Sequence, residues 1–514
     1  MKLASQPFFF ARPNDPLSKQ LNEQQTQSMR MTLNGFARSG TQRSLRRVCG
    51  VFFAGLAVGL SLIAGAAVAA ETGLTDEAVQ RAIILRDTAT EGTRAYEWVE
   101  RLTTEVGPRL GGTEGEARAR AWAKNILEEL GFSHVHIDPF TIDGWLRGEE
   151  HAEVLAPYPQ PLAITALGKS VATPAQGLEG EVVFFENLTA LKRADPAAVK
   201  GKIVYAGHAM QATQDGSSYG HSGRLRREGP SVAARKGAFA IMIRSIGTDS
   251  HRMPHTGATS YDDDVTPIPA VALSNPDADQ LERIALRGEP VRVSLKVTPR
   301  SLGKVSSGNV IAEIPGREHP EQIVVIGGHL DSWDLATGAI DDGAGVGITL
   351  EAARLILASG WQPRRTIRLI LWGSEELGLL GGRHYTEQHK AQLRQHVAGT
   401  ESDFGAGRVW KMTSSVNDAA KPLVDLIGEL VAPLGVAPGE NNVRNAGPDL
   451  TPMIQAGMPG FRFMQDGSDY FDLHHTPDDT LDKIEPATLD QNVAAFVVFT
   501  WLAAESELSD WGWQ

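Results

Sequence analysis

Gln322-Ile-Val-Val-Ile-Gly-Gly-His-Leu-Asp-Ser332 decides the fold: an apolar run of strand length that ends abruptly in polar, ligand-capable residues. A helical stretch follows over Gly343–Ala358, and then a second apolar strand, Thr366-Ile-Arg-Leu-Ile-Leu-Trp372. Strand, helix and strand in this order, with the alternation continuing beyond, predict an α/β fold: a mostly parallel sheet sandwiched by helices on both faces. In such sheets ligand sites form beyond the carboxyl ends of the strands. The polar residues sit at that end.

Working outward, residues 71–155 carry helical patterns ahead of the main sheet. The clearest is Glu114–Leu130, with Ala117, Ala121, Ile126, Leu127 and Leu130 on one stripe and Gly131 as its stop. Between about 156 and 300 the texture changes to short β runs: Glu181–Phe185, Lys202–Tyr205, Ala238–Ile243 and Ile268–Leu273, with a short helix over Ser231–Gly237. This predicts a β-rich module inserted into a larger domain that resumes at 301 and runs to 514.

Residues 1–70 read as an export signal. A polar, basic region ends in Arg43, Arg46 and Arg47, the apolar run Val51–Ile63 follows, and Ala64–Ala70 offers a small-residue cleavage site after Ala69 or Ala70. The competing reading is a single-pass anchor, since the apolar stretch nearly reaches spanning length. Cleavage predicts an exported protein, periplasmic or extracellular, with no stable membrane span afterwards. It leaves 41 basic and 60 acidic residues, net −19, whereas the whole chain carries −13. So acidic a chain is a poor fit for nucleic acid or anionic lipid. The one cysteine, Cys49, goes with the signal, which excludes disulfides and cysteine zinc sites.

Five segments carry the chemistry. They are Gly327-Gly-His-Leu-Asp-Ser332, Gly338-Ala-Ile-Asp-Asp-Gly-Ala-Gly345, Gly373-Ser-Glu-Glu-Leu-Gly378, Glu401-Ser-Asp403 and Tyr470-Phe-Asp-Leu-His-His-Thr-Pro-Asp-Asp-Thr480. Singly each has an ordinary explanation: a hydrogen-bonded histidine, a solvated turn, an acidic helix start. Together, histidines and carboxylates at successive strand ends supply the ligands that Zn²⁺ accepts. A bridging carboxylate between two such sets is what a two-metal hydrolase needs.

With these motifs the sequence resembles the zinc exopeptidase family of bacterial leucyl-type aminopeptidases and glutamate carboxypeptidases, and within it the carboxypeptidase Q branch. The insert resembles a protease-associated domain, and its Arg244-Ser and Pro254-His-Thr-Gly257 also resemble that branch. The resemblance implies two Zn²⁺ per chain: one held by His329 and Glu376, the other by Asp403 and His475, with Asp341 bridging. It assigns Glu375 as general base and Asp331 as the group that orients the His329 imidazole, and leaves His474 to packing. Relatives often carry a cis peptide between the residues matching Asp341 and Asp342. No donor to the oxyanion is assigned; Asn445 and Tyr470 are the candidates.

The expected activity is hydrolysis of short peptides, of dipeptidase or carboxypeptidase type, with an aminopeptidase as the alternative. A catalytically dead binding protein would have lost ligands that this chain keeps, and a glutaminyl cyclase on the same fold would work with one zinc. The insert is expected to act as a lid, to shape the substrate cleft or to mediate a homodimer.

Overall fold

His319–His329 lies inside an eight-stranded sheet, and its neighbours explain the sequence around it. Across the sheet the order is Ser133–Leu146, Arg300–Ile314, Arg365–Trp372, His319–His329, His396–Glu401, Gly460–Gln465, Val409–Ser415 and Ala437–Pro438. The computed structural model describes residues 72–508 and 510–513, so the expected signal at 1–70 lies outside the described residues. Four central strands, from Arg365–Trp372 to Gly460–Gln465, run parallel, as the strand–helix alternation requires. The flanks are antiparallel, where the long Ser133–Leu146 and Arg300–Ile314 strands pair and where Val409–Ser415 meets Gly460–Gln465.

Alternate residues of the central strands enter two different cores, because side chains alternate across a sheet. Val324, Ile326, Leu369 and Leu371 pack in one cluster, while Ile323, Val325, Ile370 and Trp372 pack in the other. Both faces are therefore covered, which is why these strands are apolar without alternation. Ala344–Ala358 and Pro486–Glu505 cover the first face. Pro486–Glu505 is long and apolar enough to cross a membrane, but 83% of its most apolar stretch is buried inside the protein. Its composition reflects a core position.

A second eight-stranded sheet takes strands from Glu150–Ala156 to Arg292–Val297. The change of sheet falls in residues 147–149, ahead of the composition shift at 156. Trp333, Leu377 and Leu110, from loops around the first sheet, share a core with Val271, Leu273 and Val293 of the second. All described residues belong to one compact unit.

Two helices differ from the sequence reading. Glu114–Glu129 buries Ala119, Trp122, Ala123, Ile126 and Leu127, whereas Ala117 and Ala121 face solvent. Alanine is too weak a marker of burial to fix a helix face. Ser217–Arg235 is a 19-residue helix where only Ser231–Gly237 was expected. Pro230 inside it mimics a helix start, because proline is ordinarily excluded from helix interiors.

The strand that leads to Asp403 begins with His396, which accepts from Tyr385 Oη at 2.8 Å and faces the Leu393 carbonyl at 3.2 Å. Arg368 in turn donates to Tyr385 Oη at 2.5 Å. That chain is satisfied only by a neutral ring, and burial, with Arg368 nearby, pushes His396 down to about 3. The unfolded ring takes up its proton near pH 6.5, so the stabilising contribution is present above that pH and is lost as pH falls. Between pH 7 and 4.5 the loss is on the order of 3 kcal/mol. Urea unfolding at both pH values should show wild type losing that much more than His396→Gln; equal losses would contradict the assignment.

Candidate metal centre

Each parallel strand delivers one part of the site at its carboxyl end. His319–His329 ends on His329, Arg365–Trp372 leads to Glu375 and Glu376, and His396–Glu401 leads to Asp403. Gly460–Gln465 is followed by the short helix Tyr470–Leu473 and then His474 and His475. Asp341 stands in the loop between His329 and the Ala344–Ala358 helix, and its peptide bond to Asp342 is cis.

Asp341 is the centre of the arrangement. Its Oδ1 is 3.1 Å from His329 Nε2, which also lies 4.0 Å from Asp403 Oδ1. Its Oδ2 is 3.3 Å from His475 Nε2, which lies 3.0 Å from Glu376 Oε2. The five expected ligands are thus brought together, but in a different grouping. His329 pairs with Asp403 and His475 pairs with Glu376, correcting the expected His329–Glu376 and Asp403–His475 pairs. The neighbouring strands Arg365–Trp372 and His319–His329 are adjacent, yet the Glu375-Glu376 turn carries Glu376 across to the His475 side. Of the two histidines, His475 reaches both Asp341 and Glu376, whereas His474 reaches only Asp341, at 3.6 Å, and stacks on His475 at 3.5 Å.

The donor set fits metal ions. Asp341 Oδ2 and Glu376 Oε1 are buried with no hydrogen-bond partner, a costly state for a carboxylate unless a cation completes it. Burial, reinforced by neighbouring carboxylates, holds Glu375 and Glu376 well above the ordinary range. Burial also lifts Asp403 to about 6, with Asp341 adding to the effect. Asp341 alone is held well below: burial opposes its charge, but the hydrogen bond from His329 and the close approach of the His475 and His474 rings prevail. A divalent cation among these groups removes the cost of their charge. Hard oxygen and imidazole nitrogen donors without thiolates suit zinc-like ions.

The surrounding chain was compared with known proteins. The model of Peptidase family M28 matches residues 309–500. Carboxypeptidase Q of Bos taurus is 36% identical over 416 residues, covering 80% of this chain and 86% of its own. The Homo sapiens protein of that name is 34% identical over 414 residues, with the same coverage. This chain belongs to peptidase family M28. A crystal structure of a Peptidase M28 precursor from Shewanella amazonensis SB2B is 46% identical, with a TM-score of 0.82 over 84% of this chain and 98% of that one. The zinc aminopeptidase BSAP from Bacillus subtilis, 22% identical, shares the fold with a TM-score of 0.60 over 81% of this chain and 97% of its own.

Within this M28 metallopeptidase, Asp331 stands at the His329 ring as expected, chiefly through its carbonyl. The nearer partner of His329 Nδ1 is the Asp331 carbonyl, at 2.9 Å, with the carboxylate at 3.7 Å. The carboxylate instead accepts from the backbone N–H groups of Glu375, at 2.9 Å, and Glu376, at 3.4 Å. It therefore holds the turn that carries Glu375 and Glu376. Asp342 accepts from His329 N and Gly345 N, joining the strand end to the helix start, where a carboxylate is favoured by the helix dipole. A side chain at Gly345 would stand 2.0 Å from the Ser402 carbonyl and 2.4 Å from Asp342, so only glycine fits.

Several supporting residues were given no role by the sequence reading. Asp479 accepts from Ile340 N at 2.6 Å and Asp341 N at 3.3 Å, fixing the loop that carries the bridge. Arg109 is fully buried and donates to the carbonyls of Leu330, Thr337 and Gly338. Arg462 lies in the field of Asp403 and over the Phe404 ring, and among the described residues no hydrogen bond or ion pair reaches its guanidinium. Of the oxyanion candidates, Asn445 closes its own turn by accepting from Gly447 N, and Tyr470 packs on Phe404 and Phe471.

If each donor set holds one ion, the grouping has a direct consequence for metal content. His475→Ala and Glu376→Ala should each weaken the same ion, so the double variant should lose little more than either single one. His329→Ala and Asp403→Ala should form a second such pair, and Asp341→Ala should affect both ions. Metal analysis showing additive loss within a pair, or full occupancy in Asp341→Ala, would refute it.

Proposed function

We propose that this M28 metallopeptidase is an exported enzyme that binds two zinc ions and hydrolyses short peptides, as a dipeptidase or carboxypeptidase. One observation carries the two-metal reading: the two oxygens of Asp341 face two separate donor sets, His329 with Asp403 and His475 with Glu376. The carboxypeptidase assignment is supported by identities of 34–36% to carboxypeptidase Q over 80% of the chain. The zinc assignment follows from the nitrogen and oxygen donors. Export is supported by the basic, apolar and small-residue order of 1–70. The second sheet is taken as a protease-associated type of insert that caps the site, and the bidentate Arg147–Asp334 pair at 2.8–2.9 Å fastens it to the loop after His329.

Bound zinc supplies Lewis acidity for the attacking water and the scissile carbonyl. The protein supplies the base and its placement. Glu375 is half-buried beside Glu376 and Asp403, and among the described residues its carboxylate makes no hydrogen bond, which leaves it free for water. Its backbone is clamped on both sides: the N–H bonds to Asp331, and the C=O accepts from Gly378 N at 2.7 Å and Leu379 N at 2.8 Å. Glu375 removes the proton of the attacking water and returns it to the leaving amine. The base is high in proton affinity, as a carboxyl that must both take and give a proton requires.

Glu375→Gln should keep its metal and fold, while kcat falls by roughly 10²–10⁴-fold. Near-normal kcat in metal-replete variant would remove the assignment. Substrate choice is tested separately with free, N-acetylated and C-amidated dipeptides. A dipeptidase recognises both charged ends, so blocking either leaves a site charge unpaired and costs roughly 2–5 kcal/mol. Sensitivity to N-acetylation alone, with long peptides trimmed from the amino end, would make the enzyme an aminopeptidase.

A further inference from the structure

The two sheets meet at His475, and the contacts there are more specific than packing. The residues of 245–257, in the insert, hold 471–475 of the peptidase region at successive points. Thr248 N donates to the Phe471 carbonyl at 3.1 Å, and Thr248 Oγ1 donates to Asp472 at 2.7 Å. His255 Nδ1 lies 2.7 Å from the His474 carbonyl, and Thr256 N donates to the His475 carbonyl at 3.0 Å. Finally, the His475 ring turns its Nδ1 to the Thr256 carbonyl, at 3.3 Å.

That last contact bears on the metal centre. The Nε2 of His475 faces Asp341 and Glu376, so a ring that ligates through Nε2 carries its proton on Nδ1, and the Thr256 carbonyl is the acceptor for it. Arg226, on the Ser217–Arg235 helix, donates to the same carbonyl at 3.3 Å and to Tyr219 Oη at 2.7 Å, which fixes where that carbonyl points; its Nη1 also lies 3.4 Å from His475 Nδ1, a contact that favours the other tautomer and that a ring ligating through Nε2 gives up for the carbonyl. Gly257 leaves room for this guanidinium: a Cβ there would stand 2.2 Å from Arg226 Nη1. Behind Thr256, the buried His255 is anchored in turn. Its Nε2 lies 2.6 Å from Asp249 Oδ1, and its backbone N–H donates to Ser245 Oγ at 2.8 Å. Asn275 donates to Asp249 at 3.0 Å from the far side.

His475 needs such support. Its φ is +65, a left-handed conformation unfavourable for a residue with a side chain, so it persists only where surrounding contacts impose it. We propose that Asp249, His255 and Thr256 of the insert are positioning residues for the His475 side of the metal centre, holding the ring so that Nε2 points at Asp341 and Glu376. The insert is then part of one metal site and not of the other, because the His329 ring is oriented by Asp331 in the peptidase region. This rests on the two-metal reading above.

The test is a graded chelator dialysis with zinc counted per chain, on wild type, His255→Gln and the volume-conserving Asp249→Asn. One of the two ions should leave at a chelator concentration about 10–100-fold lower in the variants, while the other leaves as in wild type. Cobalt-loaded variants stripped to one ion should give the absorption spectrum of His475→Ala, which keeps the His329 side, and not that of His329→Ala. Release of both ions at wild-type concentrations from a folded variant overturns the proposal, as does equal weakening of both. Should His255→Gln fail to fold, Asp249→Asn decides alone. A wild type that holds one zinc per chain overturns the two-metal reading and this inference together, whereas two in wild type with unaltered variants overturns this inference only.

Discussion

A single buried carboxylate, Asp341, sets the demands on the rest of the structure. Its two oxygens face two imidazoles, and one of them has no hydrogen-bond partner among the described residues. Holding such a group away from water requires rigid support, because a misplaced buried charge costs far more than an exposed one. Asp479 and Arg109 provide it by tying down the 337–341 loop, and Asp342 provides it by locking the strand end to the helix start. The parallel sheet does the coarser work. Four adjacent strands ending at one edge bring His329 and His475, 146 residues apart in sequence, to the same carboxylate.

The price of concentrating carboxyl groups is visible in their proton affinities. Glu375, Glu376 and Asp403 are all pushed up by burial and by one another. A cation held by Glu376 and Asp403 would relieve that penalty, and its charge would lower the proton affinity of the nearby Glu375 as well. Two residues adjacent in sequence thus meet different surroundings: the turn held by Asp331 sends the Glu376 side chain to His475, whereas the Glu375 carboxylate makes no hydrogen bond among the described residues.

Much of this was legible in the sequence. Apolar strands ending in polar motifs pointed to the sheet and its covered faces, because strand-end placement depends only on pattern, whereas the five expected ligands came from the family resemblance. The grouping of ligands was not legible, since it depends on which way the Glu375-Glu376 turn and the 470–475 segment carry their side chains. Asp331 was located correctly but its carbonyl, a group common to every residue, makes the closer contact. Arg109, Asp479 and Thr256 act through the backbone of distant loops, so even where their segments stood out in the sequence, as with 254–257 and 470–480, the contacts themselves left no periodic or compositional trace. Helix Ser217–Arg235 was underread because Pro230 obeys a local rule that the tertiary packing overrides.

Anomalous diffraction at the zinc edge, on crystals of the zinc-loaded protein, tests the central claim most directly. Two peaks about 3.5–4 Å apart are expected on either side of Asp341. One should lie against His329 and Asp403, the other against His475 and Glu376. A single peak, or a peak shared by His329 and Glu376, contradicts it.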